Sequence, residues 1–268
     1  MTDLDEVKRL LARLDEGQLR QVQAYLRGLL PKHPAEERLM ISAEGMLDAL
    51  DRAGDFTVRM IRGVFAEAAF ATEALPEFAD RWRLLPLPSN DPPFDFLLTD
   101  IANPDSPPRG LSHPKIRLQV KMQRSEDKQP LSASDIWRTR VRWPADHYVV
   151  EVQKSRKGEK NGKSTRPYRF NEFDVLAVSL GPARGRWGIF MYTVERWLLP
   201  NPEDESEILT YQPVAPADND CWTTNFNRVV EWLRSGERRR IRGELPSSGK
   251  RPRVVGRVDR KPTKGKRP

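Results

Sequence analysis

Three polar residues in two neighbouring apolar segments have the types and spacing needed for metal-assisted hydrolysis of a phosphodiester. Asp95 lies in FDFLLTDI (94–101), and Gln119 and Lys121 lie two residues apart in IRLQVKMQ (116–123). Because side chains alternate across a β-strand, Gln119 and Lys121 are expected to project from the same face. If the two segments pair as strands, a carboxylate, an amide oxygen and an ammonium meet at one edge of a sheet.

These three groups suit chemistry at a phosphorus centre. Mg²⁺ prefers a few protein oxygens, with water and substrate phosphate as its remaining ligands. A carboxylate-bound metal beside a lysine can activate water and neutralise charge in the transition state. We expect Asp95 to anchor the metal, Gln119 to offer an amide oxygen or position the water, and Lys121 to orient that water. The structural alternative is a surface hairpin whose polar residues alternate outward, since this motif also arises by chance.

A glutamate further upstream adds a resemblance to a known superfamily of nucleases, PD-(D/E)xK. The resemblance is carried by RGVFAEAAF (62–70), PFDFLL (93–98) and IRLQVKMQR (116–124). It matches Glu67 to the superfamily's helix glutamate, Asp95 to its strand aspartate and Lys121 to its lysine. It implies an α/β fold with a central mixed β-sheet flanked by helices, as in restriction endonucleases.

Gln119 stands where the superfamily has a second acid, a departure that resembles its Gln-x-Lys variants. An amide oxygen carries no full charge, so it binds Mg²⁺ more weakly than a carboxylate does. Glu67 or Glu151, in YVVEVQKS (148–155), would compensate as a further metal ligand, and we favour Glu67. Each has a structural alternative: Glu67 as an exposed helix residue, and Glu151 as the partner of an arginine.

The net charge is unevenly distributed, which favours a polyanionic partner. The chain carries +8, but residues 109–169 and 236–268 carry +10 each and the remainder −12. Such asymmetry predicts a polyanionic partner held against particular segments. For the double-stranded DNA that the nuclease resemblance implies, we expect most of these charges to contact phosphates and a minority to contact base edges. The residues expected to contact DNA are Arg138, Arg140, Arg142, Lys154, Arg156, Lys157, Lys163 and Arg166. The alternative is a solvated basic loop with nonspecific attraction alone.

A longer stretch extends the resemblance to type II restriction enzymes. It includes SRKGEKNGKSTRPYRFNEFDVLAV, and the closest family we can suggest is the ApaLI-like one. The resemblance implies Mg²⁺-dependent cleavage of a short duplex site. A palindromic site favours a homodimer, because matching two-fold symmetry lets one chain cut each strand. A cognate methyltransferase acting on the same site would be a further partner. Two other hypotheses stay open: a repair or structure-selective nuclease with the same centre, and a non-enzymatic DNA-binding protein.

Apolar periodicity and turn residues divide the chain into three parts. We predict a helical N-terminal region (1–54), an endonuclease catalytic core (55–235) and a basic, flexible C-terminal tail (236–268). The predicted helices are two within 3–30, separated at Gly17, and one each at 42–53, 56–75, 132–143 and 225–233. The predicted strands are 94–101, 116–123, 148–155, 173–180 and 188–195.

Composition argues against several other classes of protein. The chain has no run of 18 or more apolar residues, so no transmembrane helix is expected, and its acidic start, MTDLDEVKRL, lacks the apolar stretch of a secretory signal. The single cysteine, Cys221, favours a reducing cytoplasm and a buried thiol. His33, His113 and His147 are scattered without cysteine partners, so we expect no zinc site.

Overall fold

The structure is a computed structural model of the chain. It describes residues 3–88, 92–104, 115–126, 129–132, 144, 146–154, 158–160 and 163–241. The chain divides into two compact units, Met1–Arg59 and Met60–Pro268. Within the described ranges, no helix is both long and apolar enough to cross a membrane.

Helices account for the regular structure of the N-terminal unit. They are α1 (Asp3–Leu11), α2 (Glu16–Leu29), α3 (Pro34–Leu39), α4 (Ala43–Asp51) and the first residues of α5 (Asp55–Ala69). Side-chain caps explain where two of them begin: Asp15 accepts from the backbone N–H of Gln18, and Ser42 from that of Gly45. Gly17, predicted to separate the first two helices, lies instead in the first turn of α2, because Asp15 forms a capping box directly before it.

Among its described residues, the second unit contains the strands, two further α-helices and short π- and 3-10 helical turns. In chain order the described strands are β1 (Trp82–Leu85), β2 (Phe96–Asp100), β3 (Ile116–Met122), β4 (Ser125–Glu126), β5 (Gln129–Pro130), β6 (Tyr148–Glu151), β7 (Glu159–Lys160), β8 (Lys163–Ser164), β9 (Val175–Ser179), β10 (Phe190–Val194), β11 (Pro200–Asn201), β12 (Asp204–Ile208) and β13 (Tyr211–Val214). The helices are α6 (Gly181–Arg184) and α7 (Phe226–Ser235).

A five-stranded mixed sheet forms the centre of this unit, in the order β1-β2-β3-β9-β10. All neighbours are antiparallel except β3 and β9, which run parallel. The α/β class and the central mixed sheet predicted from the sequence are therefore confirmed. Strand β1 was not predicted, because the four residues WRLL are too few to show a period-2 pattern.

The predicted strand 148–155 is shorter than expected and lies outside the central sheet. Only Tyr148–Glu151 forms a strand, and it pairs with β13 in a separate two-stranded sheet. After Glu151 the chain turns to other partners: the Val152 N–H donates to the Thr210 carbonyl at 2.6 Å, and Gln153 forms an isolated bridge with Pro167. Partners distant in sequence, rather than local alternation, end this strand.

Aromatic packing anchors the helices on the central sheet. Helix α5 continues into a π-helical turn, in which the Phe70 ring lies 5.0 Å from Phe96 and 5.6 Å from Phe190. Phe226 of α7 stacks on Phe78 at 4.6 Å. Burial of such large rings is a main source of stabilisation. It also fixes the end of α5 close to β2.

Two predicted segments lie mostly outside the described residues. Of the helix predicted at 132–143, only Ser132 is described. Of the basic segment 236–268, the structure describes the part up to Ile241. This part is attached to the core: the Ile241 N–H donates to the Trp197 carbonyl, and the Trp197 indole N–H donates to the Glu237 carbonyl, both at 2.9 Å.

A buried ion-pair cluster joins β2 to α7. Asp100 is fully buried, and its Oδ2 accepts from Arg81 at 3.1 Å and from Arg234 at 2.7 Å. Burial alone would raise the pKa of Asp100, but the hydrogen bonds from Arg234 and Arg81 hold it below its ordinary range. The two guanidinium groups also lie over the Trp82 ring, each 5.6 Å from its centroid.

Replacing Asp100 by asparagine should therefore destabilise the fold in a pH-dependent way. We expect Asp100→Asn to lower the free energy of unfolding by about 2 kcal/mol at pH 7, because two guanidiniums lose their counter-charge while remaining partly hydrated. A depressed carboxyl pKa stabilises fully above the unfolded-state value, about 4, and loses this effect as the pH falls through the folded-state value. The difference should shrink in acid. Urea titrations of both proteins at pH 7 and pH 3, with the exposed Asp80→Asn as control, would measure it; a pH-independent difference would contradict the argument.

Candidate active site

The pairing of β2 with β3 brings Asp95 beside Gln119. Phe96 stands opposite Leu118, and the Asp95 N–H donates to the Leu118 carbonyl at 2.9 Å. One residue further along this register, Asp95 faces Gln119. Its Oδ2 accepts from Gln119 Nε2 at 2.5 Å and from the Val120 N–H at 2.7 Å. The carboxylate and the amide predicted to converge are in direct contact.

Lys121 joins this pair through its charge. It is half-buried, and burial lowers the pKa of its ammonium, whereas the charges of Asp95, Glu67 and Glu151 raise it. Two residues along β3 from Gln119, it follows the alternation that places both side chains on one face. Lys121 therefore interacts electrostatically with Asp95 and Glu67, the two carboxylates beside which the sequence predicted it.

Helix α5 adds Glu67, which is half-buried rather than exposed. Burial raises the pKa of its carboxyl to about 7; the charge of Asp95 raises it further, and that of Lys121 lowers it. The pKa of Asp95 is itself raised by burial, and lowered by Lys121 and by hydrogen bonds from Val120 and Gln119. Partly buried acids with perturbed pKa values and a specific charged neighbour are typical of functional sites.

The side-chain oxygen of Gln119 is the least satisfied acceptor of the site. Gln119 is 1% exposed, and its Oε1 has no hydrogen-bond partner. Leaving a buried acceptor unpaired costs about 1–3 kcal/mol. The charge of Asp95 disfavours ionisation of Glu67. Carboxylate and amide oxygens, such as those of Asp95, Glu67 and Gln119, are the ligands that a hard divalent cation prefers. A cation bound here would satisfy the amide oxygen and relieve the repulsion, so the residues fit Mg²⁺.

The carboxylates of this site are two rather than three. In the part of the chain that the structure describes, no group of three or more His, Cys, Asp or Glu residues is placed to hold a metal. Glu151 is engaged elsewhere: it accepts from Arg124 Nη1 at 2.7 Å and from the Gln153 amide. The arginine pairing considered for Glu151 is thus present, and the geometry favours Glu67 as the second acid.

Most of the predicted DNA contacts fall outside the described residues. These are Arg138, Arg140, Arg142, Arg156 and Lys157. Lys163 belongs to β8, but its side chain is not described. Lys154 forms an ion pair with Glu172 at 2.6 Å, and Arg166 Nε donates to the Lys154 carbonyl at 3.3 Å. Their contact with DNA stays a prediction.

Tyr168 is a site residue that the sequence did not indicate. It is 4% exposed, and its ring centroid lies 5.4 Å from Lys121 Nζ and 5.2 Å from Lys154 Nζ. An aromatic face attracts a cation by about 0.5–2 kcal/mol, depending on desolvation. Tyr168 therefore holds Lys121 against the carboxylates. A tyrosine in a polar loop gives no periodic signal, so sequence reasoning had no means of finding it.

A second buried cluster fixes the strands that carry the site. Arg117 binds both oxygens of Asp174, at 3.1 Å and 2.8 Å, and donates to the Asn171 carbonyl at 2.8 Å. The Asp174 carbonyl in turn accepts from the Glu195 N–H at 2.9 Å. Burial raises the pKa of Glu195 to about 8, a bond from the Asn171 N–H lowers it and the charge of Asp174 raises it. This cluster links the beginnings of β3 and β9 to the end of β10, and Asp174 has a structural role in it.

The remaining reactive residue types have structural environments. Cys221 is buried, as predicted. His33 caps α3 by accepting from the Ala35 N–H, and His147 Nδ1 lies 2.9 Å from an Asp146 oxygen. His113 lies outside the described residues.

Comparisons with known proteins add little to this geometry. No protein-family model and no curated protein matches the chain. Among solved structures, the bacterial homing endonuclease I-Ssp6803I is similar over 62% of this chain and 82% of its own, with 19% sequence identity and a TM-score of 0.32. A TM-score this low does not establish a common fold, so any functional conclusion depends on the site itself.

Removing the charge of Glu67 should stabilise the metal-free protein. Burial raises the pKa of the Glu67 carboxyl, so the folded protein is most stable when this group is protonated. The free energy of unfolding of the wild type therefore falls as the pH rises from about 4.5 to about 7. We expect Glu67→Gln to raise the free energy of unfolding by about 2 kcal/mol at pH 8 and by much less at pH 5. Urea titration in chelator-containing buffer would measure this, with the exposed Glu231→Gln as control. Equal stability of wild type and variant at pH 8 would rule out a costly buried charge at Glu67.

Proposed function

We propose that the protein is a Mg²⁺-dependent DNA endonuclease of the type II restriction kind. One observation carries the proposal: Asp95 is in direct contact with Gln119 and interacts electrostatically with Lys121 and Glu67, while the buried Gln119 oxygen lacks a partner. The structural ion pair Arg117–Asp174, by contrast, is closed by hydrogen bonds to both carboxylate oxygens. An unpaired oxygen beside two carboxylates is expected where a cation completes the site.

The metal would be held by the carboxylates of Asp95 and Glu67 and the amide oxygen of Gln119. Bound Mg²⁺ neutralises charge on phosphoryl oxygens and makes a nearby water more acidic. For Gln119 to offer its oxygen, the contact between its Nε2 and Asp95 must rearrange when the cation enters. The carboxyl pKa of about 7 at Glu67 means that this residue is readily protonated without a cation and ionised with one.

Lys121 would orient the attacking water and stabilise the negative charge that develops at phosphorus. Its position suits this role because burial lowers the pKa of the ammonium while three carboxylates act against that lowering, and the Tyr168 ring lies beside the ammonium. A fixed cation in a partly dehydrated site stabilises a transition state more than a mobile one in water, since no reorganisation is needed during reaction.

The substrate proposed is double-stranded DNA with a short palindromic site. The +10 charge of residues 109–169, which include Gln119 and Lys121, supports a polyanion. The resemblance of the 155–178 stretch to type II restriction enzymes, and to the ApaLI-like family in particular, supports site-specific cleavage. A homodimer would then place one site on each strand.

The proposal predicts cleavage that depends on both the metal and the site. Purified protein with unmethylated phage DNA and Mg²⁺ should yield discrete bands, and chelator should abolish them. Asp95→Asn and Lys121→Ala should each lower the cleavage rate by a factor on the order of 10² or more, because each removes a charge acting in the transition state. Lys115→Ala, which removes the same charge six residues earlier in sequence, is the matched control and should cleave normally.

The same assay separates the rival functions. A repair or structure-selective nuclease with this centre would give no discrete fragments from intact duplex, yet would depend on Lys121 equally. A non-enzymatic DNA-binding protein would retard DNA in a gel and show no cleavage as wild type. Cleavage that survives in both Asp95→Asn and Lys121→Ala would refute the assignment of this site.

A further inference from the structure

The first two helices carry an apolar stripe of eight residues, of which five are exposed and three, Leu11, Leu14 and Val22, are half-buried. The stripe consists of Leu4, Val7, Leu11 and Leu14 in and just after α1, and of Leu19, Val22, Leu26 and Leu29 in α2. Its members are alternately three and four residues apart in each helix, a spacing that lines them up along one side. No residue of α1 or α2, both described from end to end, is buried. Leu26 is 48% exposed and Leu29 is 65% exposed.

Exposed apolar side chains are concentrated in the N-terminal unit. Of the nineteen large hydrophobic residues exposed in the described ranges, thirteen lie among the first 59 residues. In the second unit the large hydrophobic residues form an extensive core. Exposing contiguous apolar surface to water is unfavourable, and such patches mark interaction sites. We therefore expect the stripe to be an interaction surface that a binding partner covers.

Polar contacts, rather than the stripe, connect the helices of the N-terminal unit. Arg27 of α2 forms ion pairs with Glu44 of α4 and, at 3.9 Å, with Glu36 of α3. Glu36 also accepts from the N–H groups of His33 and Ala43, at 3.0 Å and 2.8 Å. These contacts hold α2, α3 and α4 together without using the stripe, which stays available.

We propose that α1 and α2 form the self-association surface of this protein, with the stripe of one chain covered by the same stripe of a second copy. Helices with this spacing pack in pairs, and four of them form a bundle with a closed apolar core. α1 and α2 have 9 and 14 residues, and the stripe side of each helix would enter such a bundle.

Charge favours a second copy over DNA as the occupant. The first 59 residues carry a net charge of −2, in contrast to the basic segments that follow. Beside the stripe of α2 stand Gln18, Gln23 and Tyr25, none of which is charged. Two copies of this face would therefore meet without repulsion, whereas a polyanion would find no attraction. The inference rests on the proposed function only in that a two-fold dimer would supply one active site for each strand.

Negative charges introduced on opposite sides of α2 test the proposed surface. Light scattering of the wild type at micromolar concentration should give twice the chain mass of 30.9 kDa. Leu19→Glu combined with Leu26→Glu should weaken the dimer by a factor on the order of a thousand or more, because four leucines of the bundle are replaced by buried charges. Gln21→Glu combined with Ala24→Glu adds the same charge on the other side of α2 and should leave the dimer intact.

A measurement on the unaltered protein guards against misfolding of the variant. Hydrogen exchange of the backbone amides in 16–29 should slow as the wild type is concentrated through its dissociation range, while exchange in 226–235 should not change. A monomeric wild type, a dimer that survives the stripe variant, or a doubled mass without added protection in 16–29 would each overturn the proposal. Lys121→Ala should remain dimeric, so loss of cleavage and loss of self-association can be told apart.

Discussion

The antiparallel register of β2 against β3 is the constraint on which the site depends. It sets Asp95 opposite Gln119, and the Asp95 carboxylate accepts from both the Gln119 amide and the Val120 backbone. A slip of one residue would turn Gln119 and Lys121 to the other face of the sheet, because side chains alternate with period two. Everything proposed about metal binding and catalysis requires that this slip does not occur.

Two buried ion-pair clusters tie β2 and β3 to their other neighbours. Arg117, at the start of β3, binds Asp174, directly before β9, which runs parallel to β3. Asp100, at the end of β2, is bound by Arg81 and Arg234, which tie the strand to α7. Neither cluster takes part in the proposed chemistry. Both are costly to break, since removing one partner leaves a buried charge without its counter-charge.

The buried carboxylates of this chain differ in how far their neighbours satisfy them. Asp100 accepts from Arg81 and Arg234, and Arg117 binds both oxygens of Asp174. By comparison, Glu67 is pushed towards protonation by burial and by Asp95, and Gln119 keeps an unpaired oxygen. A fold retains such unfavourable features where a ligand offsets them, and functional sites are commonly less stable than they could be for this reason. The same logic extends to the exposed stripe of α1 and α2, where the unsatisfied surface is apolar and the missing partner is another apolar surface.

Local pattern was enough to predict most strands of the central sheet and the polar residues proposed for the site. A short apolar run between prolines indicated the strand in FDFLLTDI, period-2 alternation indicated the one in IRLQVKMQ, and residue type and spacing singled out Asp95, Gln119 and Lys121. The N-cap Ser42 and the helical start of the chain were likewise evident, since capping and helical periodicity act over a few residues.

Only the tertiary structure decided the contacts between residues distant in the chain. It assigned Glu151 to Arg124, placed Tyr168 against Lys121, added β1 to the sheet and paired β6 with β13. It also revealed that most of the stripe of α1 and α2 is exposed within the described chain. The physical reason is that the interactions which decide these features act between segments that are distant in the sequence. Backbone preferences and periodicity are properties of neighbouring residues, whereas burial, pKa and hydrogen-bond satisfaction depend on which distant segments the fold brings together.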